Sequence, residues 1–297
     1  MRCGFVAEHT GGILTVNQLR SLVKVSSTSY HRWCASANKR KLDIKEEQAL
    51  TVLVKKSFYE SRETYGVPRV WRELLRQGYS CSRRQIGQIM RKNRLISVYV
   101  RKKKKFVVTT NSAKTSQAAP NLLNRDFKAK SVNEKWVGDV TYILTEEGWL
   151  YLAIVLDLFS RKAVGYALGV RNDAELACKA FQMAVIRRGS PQCLIYHSDR
   201  GSVYDSDDFK SLLNKNNTTP SMSRRGNCWD NAVCESFFDS LKVEAVHRQK
   251  YKLKISAISS IYDWIENFYN SKRMHSTINY CSPNEFEQIY QDNLCRH

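Results

Sequence analysis

The spacing of apolar and polar positions divides the chain into a helical first third and a mixed remainder. Thr15-Val-Asn-Gln18 has the Ser/Thr-x-x-Glu/Gln pattern that caps a helix, and Leu19, Leu22 and Val23 follow as an apolar stripe. After a break at Lys24 to Ser26, Ser27 to Trp33 reads as a second short helix, which makes the pair a helix-turn-helix candidate. Ile44 to Tyr59 carries Leu50, Val54 and Phe58 at helical spacing. Val67 to Gln77 predicts a further helix with Val70, Leu74 and Leu75 facing inward. Gly78-Tyr-Ser-Cys81 supplies a turn, and Ser82-Arg-Arg-Gln85 caps a helix running to about Asn93 with Ile86, Ile89 and Met90 inside. Beyond residue 135 the period changes. Trp136 to Leu144 alternates, Trp149 to Leu158 is almost continuously apolar, and Lys162 to Leu168 is a third strand pattern. Ala174 to Arg188 is helical, Gln192 to His197 a short buried strand and Asp207 to Asn214 a helix. Thr219 to Met222 is a strand, and Asn231 to about Val246 a long helix. Periodicity alone gives a mixed α/β fold behind a helical region.

Charge sharpens this picture. The 297 residues carry a formal net charge of +20, and Leu74 to Arg125 holds thirteen Lys or Arg and no Asp or Glu. So concentrated a basic excess fits a polyanion, of which nucleic acid is the usual one; a basic surface that serves solubility alone is the alternative. Arg83, Arg84, Arg91 and Lys92 lie on the second helix of the Val67 to Asn93 pair, which suits phosphate contacts and a major groove, or else a basic face on a structural bundle. Residues 97–135 read as a solvated linker containing the run Arg101-Lys-Lys-Lys-Lys105. The expected organisation is a helix-turn-helix-like segment (1–40), a helical DNA-binding region (41–100), a basic linker (101–130) and a catalytic unit with a helical extension (131–297). Nine scattered cysteines without a Cys-x-x-Cys pair read as free thiols. No apolar run reaches eighteen residues and the N-terminus lacks an apolar leader core, so a cytoplasmic protein is expected.

Three carboxylates stand where chemistry needs them. Asp139 lies within a strand pattern beside Gly138, and both are poor strand residues that need a reason to be there. Asp199 follows a short apolar strand, where α/β folds place functional groups. Glu235 lies early in the last long helix, with thirty-five residues between it and Asp199. Converging carboxylates repel one another unless a cation neutralises them, and hard oxygen donors suit Mg²⁺ or Mn²⁺.

Five motifs together resemble the DDE transposases encoded by the second reading frame of IS3-type bacterial insertion sequences. They are Trp136-Val-Gly-Asp-Val-Thr-Tyr-Ile143, the segment Tyr151 to Tyr166, His197-Ser-Asp-Arg-Gly-Ser-Val-Tyr204, the segment Pro220 to Phe238, and Tyr269-Asn-Ser-Lys-Arg-Met-His-Ser-Thr-Ile-Asn-Tyr-Cys-Ser-Pro283. Tyr65-Gly-Val-Pro-Arg-Val-Trp71 is similar to the start of the family's helix-turn-helix region. The resemblance implies a ribonuclease H-like, retroviral-integrase-like core with a mixed five-stranded sheet. It implies Asp139, Asp199 and Glu235 as catalytic metal ligands for two Mg²⁺ or Mn²⁺ ions, and Lys242 as a DNA contact on nearly the same helix face as Glu235. It also implies DNA cleavage at element ends followed by strand transfer, a multimer on DNA, and an upstream-frame DNA-binding protein as partner or fusion. Arg224 and Arg225 read as a basic loop beside the substrate. Retroviral integrases add an N-terminal His/Cys zinc module; none is legible here, so zinc is not expected. Several neighbours stay open. His197 is a hydrogen-bond donor behind the ligands, a substrate contact, or a satisfied strand-end histidine. Asp157 is read as a structural strand-end acid rather than a ligand, and Asp230 or Asn231 as a helix cap. Two rival functions remain: a catalytically inactive DNA-binding repressor derived from a transposase, and a ribonuclease H-like nuclease that never joins.

Overall fold

A computed structural model describes residues 2–100, 119–224 and 228–295, with the side chains of 37–38, 40–43 and 228 left aside. The run Arg101 to Lys105 and Arg225 lie outside the described residues.

The first third is helical as its spacing predicts. Helices α1 (Arg2–Glu8), α2 (Val16–Leu22) and α3 (Ser27–Ala35) pack around Val6, Leu19 and Tyr30. The capping box at Thr15 is formed. The next helix, α4 (Ala37–Glu60), begins seven residues before the expected Ile44, because residues 37–43 carry no apolar period to announce it. Only Ser36 separates α3 from α4, so one helix runs across position 40. α5 (Val67–Arg76) has Pro68 in its first turn and stops before Gly78, whose φ of +86° suits glycine. α6 (Arg83–Lys92) starts at the Ser82–Gln85 capping box. α4, α5 and α6 close around Val54, Phe58, Val70, Leu74 and Ile86, and the same core admits Met274 and Tyr280 from the far end of the chain.

The α/β unit is built on a five-stranded sheet ordered β3-β2-β1-β4-β5. β1 (Lys135–Thr145), β2 (Gly148–Asp157) and β3 (Ala163–Gly169) form an antiparallel meander, and β4 (Ile195–Ser198) and β5 (Thr219–Met222) add in parallel on the other side. β4 is shorter than the expected Gln192 to His197. α7 (Ala174–Arg188) and α8 (Asp207–Lys215) cover one face over Trp136, Val155, Phe181 and Phe209. α9 (Ala232–Glu244) and α10 (Lys254–Asp263) cover the other over Val137, Ile154, Phe237 and Leu241. Burial on both faces is why β2 reads as continuously apolar. α7 sits directly on β3 at Gly165, where an added Cβ would lie 2.2 Å from the Ala180 carbonyl oxygen.

This is the mixed five-stranded sheet with helices that the motifs implied, and the helices lie on both faces. The expected single helix from Asn231 to Val246 is instead a 3₁₀ turn (Cys228–Asn231), α9 and a second 3₁₀ turn (Val246–Arg248). A π-helical stretch (Trp264–Tyr269), a 3₁₀ turn (Ser276–Ile278) and α11 (Pro283–Leu294) complete the chain. Among the described residues no helix is long and apolar enough to cross a membrane.

Candidate active site

Strand register brings the two aspartates together. β1 and β4 are parallel, with Val137 opposite His197, and the ladder ends there. Asp139, on β1, and Asp199, one residue past the end of β4, each lie two residues further along, close enough for the charge of Asp199 to act on Asp139. Burial pushes the Asp139 carboxyl well above the usual range, and the negative charges of Asp199 and, more weakly, Glu235 push it further. The Val140 N–H, donating to Asp139 Oδ1 at 2.7 Å, only partly offsets this. Asp199 is also raised by burial, against one N–H donated by Gly201 at 2.9 Å.

α9 supplies the third acid. Phe237, Phe238 and Leu241 bury its inner face in the core that contains Val137 and Ile143. Glu235 is thereby left exposed in the first turn, its carboxyl raised by partial burial and by Asp239. Lys242, seven residues on, returns to nearly the same face. Its Nζ lies 5.0 Å from the centre of the Tyr142 ring, and its charge is felt by Asp139. Burial lowers the Lys242 ammonium below its ordinary value. The four sequence-predicted groups are thus placed around the middle of β1. They do not form a closed cage: among the described residues, no three His, Cys, Asp or Glu side chains are gathered into a ready ligand set. Tyr196, Tyr204 and Cys234 lie buried beside the aspartates, and burial raises all three, so neutral groups line that side. Spacing alone gave no sign of them.

The neighbours resolve into structural roles. His197 is buried, with Nδ1 2.8 Å from Ser221 Oγ and Nε2 3.2 Å from Ser223 Oγ and 3.1 Å from the Asp230 carbonyl. It ties β4 to β5 and to the turn before α9. Asp157 is buried and accepts the backbone N–H groups of Asn133 and Phe159, each at 2.8 Å. It closes a turn, as the sequence favoured. Neither Asp230 nor Asn231 caps α9 through its side chain: Asn231 occupies the cap position without a capping bond. Asp230 is instead a buried clamp. It accepts from the Arg224 backbone N–H and guanidinium (3.0, 3.0 and 2.9 Å), from Asn121 (2.9 Å) and from Arg125 (3.1 Å). Arg224, expected beside the substrate, is therefore engaged within the chain.

Arg224 above all holds the Asp230 carboxyl well below the usual range. A depressed folded-state value contributes stability that is complete above the unfolded value of about 3.9 and is lost as pH falls below it. Asp230→Asn should therefore unfold at a lower temperature than the parent at neutral pH, with the gap narrowing below about pH 4. Thermal midpoints measured across the acid range test this; a gap that stays constant down to pH 3 refutes it.

On the helical region, Arg83, Arg84, Arg91 and Lys92 are all exposed on α6. Arg83 folds back over Trp71, 4.4 Å from the ring centre, and Lys92 pairs with Glu47 at 2.8 Å. Arg84 and Arg91 make no such contact in the described structure.

Known proteins resemble this chain along most of its length. Residues 129–228 and 216–283 match two families each described as integrase core domain, and residues 45–103 match an HTH-like domain. Transposase InsF for insertion sequence IS3A of Escherichia coli (strain K12) is 36% identical over 287 residues, covering 97% of this chain and 98% of its own length. A 31 kDa protein of insertion element IS600 from Shigella sonnei is 39% identical over 267 residues, covering 90% of this chain and 96% of its own. Among solved structures, the HTLV-2 integrase catalytic core domain in complex with magnesium aligns at a TM-score of 0.40 and 16% identity, over 52% of this chain and 96% of that one.

Proposed function

The chain belongs to the IS3 insertion-sequence transposases, DNA transposases of the DDE type, and from that membership we propose how its residues divide the work. Asp139, Asp199 and Glu235 hold divalent cations, two Mg²⁺ or Mn²⁺, while Lys242 orients a phosphate and the basic face of α6 holds duplex DNA. The single observation that supports this most is the β1–β4 register. It runs the two strands in parallel, so that Asp139 on β1 and Asp199 just past β4 each follow the last pair by two residues, and the charges of Asp199, Glu235 and Lys242 all act on Asp139.

The residues fit such cations. Asp139 and Asp199 are hard oxygen donors crowded and partly desolvated, a pairing that a divalent cation relieves. Glu235, exposed at the start of α9, is able to complete the set by a rotamer change. When bound, the ions supply Lewis acidity to the attacking and leaving oxygens of a phosphodiester. The protein's own part is positioning. Buried Tyr196, Tyr204 and Cys234 keep one side of the carboxylates dry, and Lys242 meets the phosphate charge. Water cuts the phosphodiester at an element end and releases a 3′-OH; that 3′-OH then attacks a target phosphodiester in line and displaces the target strand's own 3′-oxygen. Two ends must be brought together, so the working form is a multimer on DNA, and an upstream-frame DNA-binding protein is the expected source of end specificity.

A strand-transfer assay with labelled end DNA, with and without Mg²⁺, tests the reading. Joined product only with Mg²⁺ supports it. Cleavage without joining favours a nuclease, and DNA binding without cleavage favours a repressor. On α6, Arg84→Ala and Arg91→Ala should each weaken DNA binding and lower the salt dependence of the affinity by about one unit of slope. A titration across salt concentrations in which the slope is unchanged removes that arginine from the interface.

A further inference from the structure

The helix that carries Glu235 and Lys242 is also gripped from outside the catalytic sheet. At its C-terminal end, Glu244 is 2% exposed and pairs with Arg273, which is 4% exposed. Arg273 Nε donates to both carboxylate oxygens of Glu244, at 2.9 and 3.0 Å. Its Nη2 reaches Glu244 again at 2.9 Å, Ser240 Oγ one turn earlier on α9 at 3.0 Å, and Tyr99 Oη at 3.1 Å. The Tyr99 hydroxyl itself donates to Glu244, and Trp264 Nε1 donates to the other carboxylate oxygen at 3.2 Å. Tyr99 lies just beyond α6, at the end of the helical region. A second tyrosine of that region grips the same turn. Tyr65 Oη donates to the Lys272 carbonyl at 3.1 Å and accepts the Met274 N–H at 2.8 Å.

A buried ion pair is weak evidence of stability, because desolvation offsets most of its attraction; fixing one arrangement among several is its better-attested use. Here there is something to fix. α9 meets the sheet through Phe237, Phe238 and Leu241, whose non-directional contacts tolerate a shift along the helix axis better than hydrogen bonds do. Glu235 lies nine residues from Glu244, about 13 Å along the same rigid helix, so a shift at one end is delivered to the other.

We infer that Tyr99, Glu244 and Arg273 form a positioning joint through which the docked helical DNA-binding region sets where α9 presents Glu235 and Lys242. The inference rests on the site roles proposed above. None of the three touches substrate; they act through α9.

Tyr99→Phe removes one hydroxyl from a ring that is 38% exposed, so folding should survive it. Two measurements decide. The Mg²⁺ concentration for half-maximal end cleavage should rise about tenfold, as it does when groups behind metal ligands are lost, while affinity for end DNA is unchanged. Amide hydrogen exchange should quicken along α9 but not along α7. Arg273→Lys, which keeps the charge and loses the fork, should show both effects more strongly. Unchanged Mg²⁺ dependence and unchanged α9 exchange overturn the joint, and so does faster exchange spread equally over α7 and α9, which is general loosening. If the parent protein does not cleave in Mg²⁺, the proposed site roles fall, and the exchange comparison still decides whether Tyr99 and Arg273 hold α9.

Discussion

Asp139→Asn should abolish end cleavage and strand transfer while leaving end-DNA binding intact and making the metal-free protein more resistant to heat. The loss of activity and the gain in heat resistance share one cause. Asp139 lies beside Asp199 in a desolvated place, so its negative charge is unfavourable until a cation arrives. Asparagine keeps the shape and removes the charge. The loss of a cation clamp is worth several kcal/mol of transition-state stabilisation, so the rate should fall by about 10³-fold or more. DNA binding should persist because the exposed basic face of α6 holds none of the three carboxylates. Stability should move the other way, since the variant relieves the repulsion that the parent carries without metal. A thermal midpoint measured in chelator, beside single-turnover cleavage in Mg²⁺, checks both. Wild-type-level joining removes Asp139 from the catalytic set. An unchanged or lower midpoint denies that the aspartate pair is electrostatically loaded.

Much of this was legible in the chain because local signals and the fold agree. The boxes at Thr15 and Ser82 mark two helix starts to the residue. The almost continuous apolar run from Trp149 to Leu158 predicts a strand, and β2 lies there, buried on both faces. The catalytic candidates were legible as motifs, and the parallel register then explains why two of them meet. What escaped was non-local. The Tyr99–Glu244 contact joins positions 145 apart and Arg273–Tyr99 positions 174 apart, and neither leaves a period in the sequence. Asp230 reads locally as a cap, yet arginines six and 105 residues away claim its carboxylate. The early start of α4 was hidden because residues 37–43 are largely polar and carry no apolar stripe. The end of α9 at Ala245 comes with no glycine or proline to announce it.

Gly138→Ala should damage stability and catalysis together, although glycine to alanine in a strand is ordinarily mild or favourable. An added Cβ at 138 would lie 1.8 Å from Tyr196 Oη, 2.6 Å from its Cζ and 3.2 Å from the Ile154 carbonyl oxygen. The tyrosine has nowhere to retreat. It is 2% exposed, with Phe181 and Phe209 each 5.3 Å from its ring centre and Tyr204 at 6.2 Å. Overpacking of this kind typically costs about 1–3 kcal/mol. The strain falls between β1 and β4, the two strands whose register aligns Asp139 with Asp199. Forcing them apart separates the carboxylates, and a misplacement of about 1 Å can cost about 10²-fold in rate. Cleavage should therefore stay low even when assayed well below the variant's own thermal midpoint. Adding Tyr196→Phe removes the Oη contact but leaves the ring carbon, so it should restore part of both losses and not all. Full activity of Gly138→Ala at moderate temperature would show that the Tyr196 ring yields freely, and that the spacing of the aspartate pair does not depend on the absence of a side chain beside it.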